Sequence, residues 1–330
     1  MSNNMNRYFS LGFYPTPLEK LVNLSRVFTN TYTIYIKRDD QTGLATGGNK
    51  TRKLEYLIQD ALDQGCDSII TSGASQSNHC RQAAAAVNKA GLECHLILKG
   101  DEPSDINGNL LLDRILGATI HWSGEEPLDK MGLNIAGYLR ENGYNPYIIP
   151  IGGSNEVGAM GYIKAVGELK EQLLEQGIAI DYVFFPSCSG GTHAGLVLGK
   201  YIHNLEFKLL GVSVAKDPGP DHRLIDYIRE IVENGFIKLN LAGAVPVNDV
   251  ELVDGYNEAG YGVITSNETK TIKFLAQTEG ILLDPVYTAR AFYGMIDILE
   301  KRKIAPGSKI LFWHTGGVAA NFGYADQLIK

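Results

Sequence analysis

The spacing of apolar residues along this chain switches repeatedly between two periods. Short apolar or alternating runs predict strands at Tyr32 to Lys37, Asp67 to Thr71, Leu92 to Leu98, Ala118 to Trp122 and Tyr147 to Pro150. Between them apolar residues recur three and four apart. Leu54, Leu57, Ile58 and Leu62 predict a helix from Thr51 to Gln64, and similar spacing predicts helices over Cys80 to Lys89, Asn107 to Leu116 and Leu128 to Glu141. A second set begins after Gly152-Gly153. It comprises a long helix from Val157 to Gln176, strands at Tyr182 to Phe185, Leu209 to Val214 and Lys309 to Trp313, and a helix from Thr192 to Ile202. Pro15-Thr16-Pro17-Leu18 reads as extended, because a proline steers the residue before it away from helix. Asp217 to Val263 mixes helical spacing with glycine and proline turns and yields no clear element. Strands alternating with helices predict an α/β fold of open, twisted, mostly parallel sheets flanked by helices. Two such sets predict a cleft between them, with every loop discussed below at the carboxyl end of a strand.

The bulk properties narrow the partners. A length of 330 residues suggests about two domains, and 44% hydrophobic with 20% charged residues is ordinary for a globular protein. A net charge of -7 argues against nucleic acid or an anionic membrane as the main partner, so a basic cluster serves a small anion instead. Cys66, Cys80, Cys94 and Cys188 contain no C-x-x-C pair, which predicts neither zinc nor a disulfide framework but reduced thiols in a cytoplasmic protein. The segment Met1 to Arg7 is polar, and no apolar run is long enough to span a membrane.

Candidate chemistry centres on Gly47-Gly48-Asn49-Lys50-Thr51-Arg52-Lys53-Leu54-Glu55. Two glycines followed by a lysine at a helix mouth allow close approach to a ligand, and a lysine shielded there loses its proton readily, as a Schiff-base amine must. Lys50, Arg52 and Lys53 together oppose the helix dipole and predict an anionic partner. Ser187-Cys188-Ser189-Gly190-Gly191-Thr192-His193 joins a strand to a helix. It reads either as an anion cradle of backbone N–H groups or as a plain tight turn, and it matches neither a P-loop nor G-x-G-x-x-G. Gln76-Ser77-Asn78-His79 heads a helix and can hold a carboxylate or simply cap it; Ser77 stands where a serine-hydrolase elbow needs glycine. Tyr261, Asp284-Pro285-Val286-Tyr287-Thr288 and His314-Thr315-Gly316-Gly317 are further candidates, readable also as core and turn.

Five of these stretches, in this order across nearly the whole chain, resemble the family of D-cysteine desulfhydrases and 1-aminocyclopropane-1-carboxylate deaminases, pyridoxal-phosphate enzymes of the tryptophan-synthase-β-like fold (fold type II). The resemblance implies that Lys50 holds pyridoxal 5'-phosphate through a Schiff base, and that Ser189, Gly190, Gly191 and Thr192, with Lys53, cradle its phosphate. It implies Asn78 on the cofactor's phenolic oxygen, Ser77 with Asn78 and His79 on the substrate carboxylate, Tyr287 stacked on the ring, and Tyr261 on the substrate side. Thr288 and Thr315 are implied at the cofactor and substrate, with Thr315 the partner of the ring nitrogen. A large domain of residues 1–52 and 163–330, a small domain of residues 53–162, and a homodimer are also implied. Ring-opening deaminases carry glutamate where this chain has Thr288 and leucine where it has Thr315, so the pattern points to D-cysteine, giving pyruvate, sulfide and ammonia. Alternatives are the cyclopropane deaminase, D-serine or β-chloro-D-alanine, and L-cysteate, whose sulfonate calls for a cation such as Arg81 or His193.

Overall fold

The computed structural model describes residues 3–217 and 223–329, so residues 1–2 of the polar N-terminal segment and 218–222 of the ambiguous stretch lie outside the described residues. The chain opens with β1 (Leu18–Lys20), α1 (Val22–Val27), β2 (Thr33–Arg38) and α2 (Lys50–Asp63). There follow β3 (Ser68–Gly73), α3 (Asn78–Ala90), β4 (Glu93–Leu98), α4 (Gly108–Ile115), β5 (Thr119–Trp122), α5 (Leu128–Glu141) and β6 (Pro146–Ile148). The remainder is α6 (Glu156–Gln176), β7 (Tyr182–Ser187), α7 (Gly191–His203), β8 (Lys208–Ser213), α8 (Leu224–Lys238), β9 (Leu252–Val253), α9 (Ser266–Glu279), α10 (Thr288–Glu300) and β10 (Lys309–His314), followed by two short helical turns.

The strands form two sheets, a six-stranded one in the order β1-β2-β10-β7-β8-β9 and a four-stranded one in the order β5-β4-β3-β6. Every pairing is parallel except that of β1 with β2. Side chains alternate across the larger sheet. On β10, Ile310 and Phe312 pack with Phe184 and Phe292 on one face, whereas Leu311 and Trp313 pack with the α2, α6 and α7 side. Both faces are thus apolar, as a parallel sheet covered by helices requires.

The period changes predict α5 residue for residue and most other elements to within two residues. Four helices escape that reading, α1, α8, α9 and α10, and so do the short strands β1 and β9. One placement is corrected. The Asp284 loop follows no strand, because α9 ends at Gly280 (φ 70°) and the chain runs directly from there to α10. The other candidate loops follow β2, β3, β7 and β10, while Tyr261 lies in irregular chain after β9.

Candidate active site

The basic first turn of α2 divides in two. Arg52, buried, donates from Nη2 to Asp39 Oδ1 at 2.8 Å, from Nε to Asp39 Oδ2 at 2.9 Å, and from Nη1 to Glu168 Oε2 at 2.9 Å. Asp39 also accepts from Trp313 Nε1 at 2.7 Å and Tyr162 Oη at 2.6 Å, so these charges tie α2 to β10 and α6. Arg52 therefore finds its anion inside the protein, which corrects the expectation that all three basic residues await a ligand. Among the described residues, Lys50 and Lys53 find no carboxylate. Burial lowers the Lys50 amine to about 8, and burial together with the charge of Lys50 takes Lys53 well below its ordinary value. Lys53 Nζ donates to Gly152 O at 3.0 Å and to Ser154 Oγ at 3.2 Å.

Lys50 faces a cavity of about 320 Å³ between the two sheets. Ser77, Asn78 and His79 line it from the start of α3, Ser189, Gly190 and Thr192 from the turn into α7, Thr315 from the end of β10, and Tyr261 and Tyr287 from the remaining side. Of the residues singled out in the sequence, the structure brings these together. It leaves three off the wall: Lys53 and Gly191 lie behind it, and Thr288 is buried with its hydroxyl 2.7 Å from Asp284 Oδ1. Cys188, Gly152 and Lys99 also line the cavity, and no Asp or Glu does among the described residues.

Local structure accounts for each wall. Gly190 takes φ 83° and offers no side-chain cap, so the N-terminal N–H groups of α7 point at whatever sits beyond them. A Cβ on Gly191 would meet Lys53 Nζ at 2.9 Å and Ser154 Cα at 2.8 Å, and a Cβ on Gly152 would meet Ser189 Oγ at 2.2 Å. Ser189 is fixed by Ser154, whose Oγ lies 2.8 Å away, and Thr192 Oγ1 accepts from Asn49 Nδ2 at 3.0 Å. Ser77 caps α3, accepting from Cys80 N at 3.2 Å, so its capping role and its place on the wall coexist. Asp284 accepts from the N–H groups of Val286, Tyr287 and Thr288 at 2.7 to 3.0 Å, which anchors Tyr287 at the head of α10. Tyr287 and Tyr261 share a hydrogen bond between their hydroxyls. Burial holds the Tyr287 hydroxyl well above its ordinary pKa and raises that of Tyr261, so both keep their protons.

The two cavity histidines, His79 and His193, are neutral acceptors or donors, not cations. His193 is pushed down to about 3 by burial, and His79 falls well below its ordinary value through burial and the nearby Lys50 and Lys53 charges. Thr71 Oγ1 donates to Ile149 O at 2.9 Å, so it accepts from His79 Nε2 at 2.8 Å. Reading the sequence alone misses Gly152, Ser154 and Cys188. The Gly152-Gly153-Ser154 run, with both glycines at positive φ, was the available signal.

A cavity that presents the Lys50 amine and a helix N-terminus, with the Lys53 amine behind its wall and no carboxylate among the described residues, fits a small phosphorylated aldehyde. The N–H groups of α7 and Lys53 suit the phosphate, and Lys50 suits the carbonyl carbon. Comparison with known proteins agrees. Residues 9–316 match the family model of pyridoxal-phosphate dependent enzymes. D-cysteine desulfhydrase of Serratia proteamaculans is 39% identical over 95% of this chain and 94% of its own length. A mitochondrial protein of Arabidopsis thaliana, named as a bifunctional D-cysteine desulfhydrase and 1-aminocyclopropane-1-carboxylate deaminase, is 39% identical over 97% of this chain and 80% of its own. A Pyrococcus abyssi protein provisionally named 1-aminocyclopropane-1-carboxylate deaminase is 40% identical over 96% and 93%. The crystal structure of an ACC deaminase homologue superposes with a TM-score of 0.89 at 38% identity, covering 100% of this chain and 99% of that one. This chain therefore belongs to the pyridoxal-phosphate dependent enzymes, with the lyase D-cysteine desulfhydrase and 1-aminocyclopropane-1-carboxylate deaminase among its relatives.

Proposed function

We propose that the substrate is D-cysteine, which with one water yields pyruvate, sulfide and ammonia. The observation that carries this reading is the absence of any carboxylate from the cavity wall among the described residues. Bound pyridoxal phosphate supplies an electron sink for the pair of electrons left when the substrate loses its Cα proton. A carboxylate at the ring nitrogen would deepen that sink; here the side chain available at the end of β10 is Thr315, whose hydroxyl can only hydrogen-bond. A weaker sink suffices when a thiolate, a good leaving group, departs from Cβ. Opening a cyclopropane ring without such a group demands more.

The protein's own groups divide the remaining work. Lys50, with an amine near 8, holds or releases a proton at neutral pH and is the base for Cα. Tyr261 and Tyr287 keep their protons and offer one to the departing sulfur. Ser77 and Asn78, at the start of α3, receive the substrate carboxylate against the helix N-terminus. We assign residues 1–52 and 163–330 to the larger domain and 53–162 to the smaller; β3 to β6 fall within the latter and all other strands outside it. Neither cation considered for a sulfonate substrate supports L-cysteate, since His193 is neutral and Arg81 is engaged elsewhere. Lys99, exposed where it meets the cavity, is the feature among the described residues that favours that second reading.

The test is a panel on the cofactor-loaded protein: D- and L-cysteine, D-serine, β-chloro-D-alanine, L-cysteate and 1-aminocyclopropane-1-carboxylate. Sulfide and pyruvate should form fastest from D-cysteine. Faster 2-oxobutanoate from the cyclopropane, or faster sulfite from L-cysteate, overturns the assignment.

A further inference from the structure

The turn that delivers Lys50 is wound the wrong way for ordinary residues. Four in a row have positive φ: Ala45 at 42°, Thr46 at 71°, Gly47 at 75° and Gly48 at 128°. Two of the four carry side chains, which enter that region only when their surroundings impose it.

The restraint comes from α3. Arg81, fully buried, donates from Nη1 to Thr46 Oγ1 and from Nη2 to Gly47 O at 2.9 Å. Its neighbour Gln82, also fully buried, accepts with Oε1 from Thr51 N and Thr51 Oγ1, each at 2.9 Å, and donates from Nε2 to Asn78 O at 3.1 Å. One helix therefore grips the turn on both sides of Lys50, and that helix starts at Ser77 and Asn78 on the cavity wall. The fit is close: a Cβ on Gly48 would meet Gln82 Nε2 at 2.7 Å.

Arg81 is an expensive choice for packing alone. A guanidinium removed from water is costly unless its charge and its donors are answered, and its planar fork serves where two acceptors must be held in fixed relation. Here burial lowers the guanidinium to about 10 even with Asp113 and Asp284 nearby, no carboxylate pairs with it among the described residues, and both Nη atoms of the fork are spent on the turn. Arg81 does not line the cavity.

We propose that Arg81 is a positioning residue for Lys50, clamping Thr46 and Gly47 so that the amine is held at a fixed distance from the carboxylate-binding start of α3. The inference rests on the reading of Lys50 as the cofactor lysine. Loosening the clamp leaves Ser77 and Asn78 in place, so substrate binding should survive while the amine loses its aim; misplacement of a reacting group by about 1 Å can cost about 100-fold in rate.

The variants are Thr46→Ala, Arg81→Met and Arg81→Lys. Thr46 is exposed, so its truncation keeps the test open if Arg81→Met fails to fold. In the cofactor-loaded enzyme, Thr46→Ala should lower kcat about tenfold with KM within about twofold. Arg81→Met should do more, Arg81→Lys should recover part, and Thr46→Ala should add little in the Arg81→Met background. In the cofactor-free protein, the pH midpoint for labelling Lys50 with acetic anhydride, read by peptide mass spectrometry, should rise from about 8 toward 10.5 in Thr46→Ala as the amine meets water. An unchanged midpoint with kcat and KM unaltered in folded Thr46→Ala overturns the clamp. So does a loss of kcat matched by an equal loss of folded protein. Wild-type protein that never takes up pyridoxal phosphate would instead defeat the reading of Lys50, and the labelling midpoint keeps the two failures apart.

Discussion

Arg52 and Lys53 are adjacent on one helical turn, yet they live in opposite electrostatic settings. Arg52 sits among Asp39, Glu168 and Lys37, where every positive group is bonded to a carboxylate. Lys53, beside Lys50, meets only neutral oxygens, those of Gly152 and Ser154. Arg52, Asp39 and Lys53 are buried, and Lys50 and Glu168 are partly so. The difference is that the first is a closed circuit of charge and the second is open. A buried cation left without its counter-charge is costly to folding, and such a pair persists where a ligand supplies the missing anion or where the amine must be neutral to react.

The largest effect should come from the open set. Lys50→Ala is expected to abolish the visible absorbance of the loaded enzyme and to lower turnover by about 10⁴-fold or more, since the covalent tether and the proton acceptor go together. Retained absorbance and turnover would remove the basis for the active-site assignment. The closed set should answer with stability instead. Arg52→Met leaves Asp39 buried without its cation and Glu168 with Lys37 alone, a loss of about 3–5 kcal/mol in urea unfolding. If the variant unfolds at the wild-type urea concentration, the cluster is not the structural counterpart described here.

Acidity sharpens the contrast further. An amine at about 8 when folded and 10.5 when unfolded binds fewer protons in the native state between those values, so the cofactor-free protein should gain stability as pH rises from about 8 to 10.5, up to about 3 kcal/mol from this group. Lys50→Met should flatten that rise in denaturant titrations; an identical slope in the variant would mean the amine is already at its ordinary value. Lys53 should act on the phosphate alone. Removing one charge-assisted contact, worth about 1.5–3 kcal/mol, predicts that Lys53→Met binds pyridoxal phosphate roughly 10- to 100-fold more weakly while pyridoxal itself binds as before. Equal weakening of both ligands would place Lys53 away from the phosphate.

What the sequence reveals of this arrangement follows the range of the interactions involved. The glycine turns, the lysine and the polar heads of α3 and α7 are local signals, and they converge on one cavity. The helices α9 and α10 were within reach as well. Thr265 and Glu268 form a capping box, with Glu268 Oε2 accepting from Thr265 N at 2.9 Å. Helix α8 has apolar residues at Ile228, Ile231, Val232 and Phe236, but turn residues on both sides obscure the pattern. Gln82, Ser154 and the Arg52 cluster are different in kind. Gln82 reaches Thr51 and Arg52 reaches Glu168 across long stretches of chain, and no periodicity records which distant carboxylate will answer a basic residue. That is why three basic residues in one turn read alike in sequence and divide so cleanly in space.

The two threonines test the same division at its smallest scale. In sequence Thr288 and Thr315 both replace residues of the ring-opening branch. In the fold Thr315 faces the cavity, whereas Thr288 is turned inward, its hydroxyl 2.7 Å from both Asp284 N and Asp284 Oδ1. Thr315→Val should therefore lower sulfide release several-fold, the worth of one hydrogen bond of about 1 kcal/mol at the reacting centre. Thr288→Ala should leave turnover within about twofold and cost about 1 kcal/mol of stability, because it removes a bond at the head of α10 and nothing from the cavity. A glutamate at 288 is another matter. It would bring a second carboxylate against the buried Asp284 at the residue that follows Tyr287, and like charges in low dielectric do not stay together. Either the new side chain swings to the cavity and supplies the acid that the wall lacks, or α10 shifts and moves Tyr287. Thr288→Glu with Thr315→Leu should consequently depress sulfide release more than Thr315→Val does. If release is unchanged in the double variant, the missing carboxylate is not what ties this cavity to a thiol leaving group.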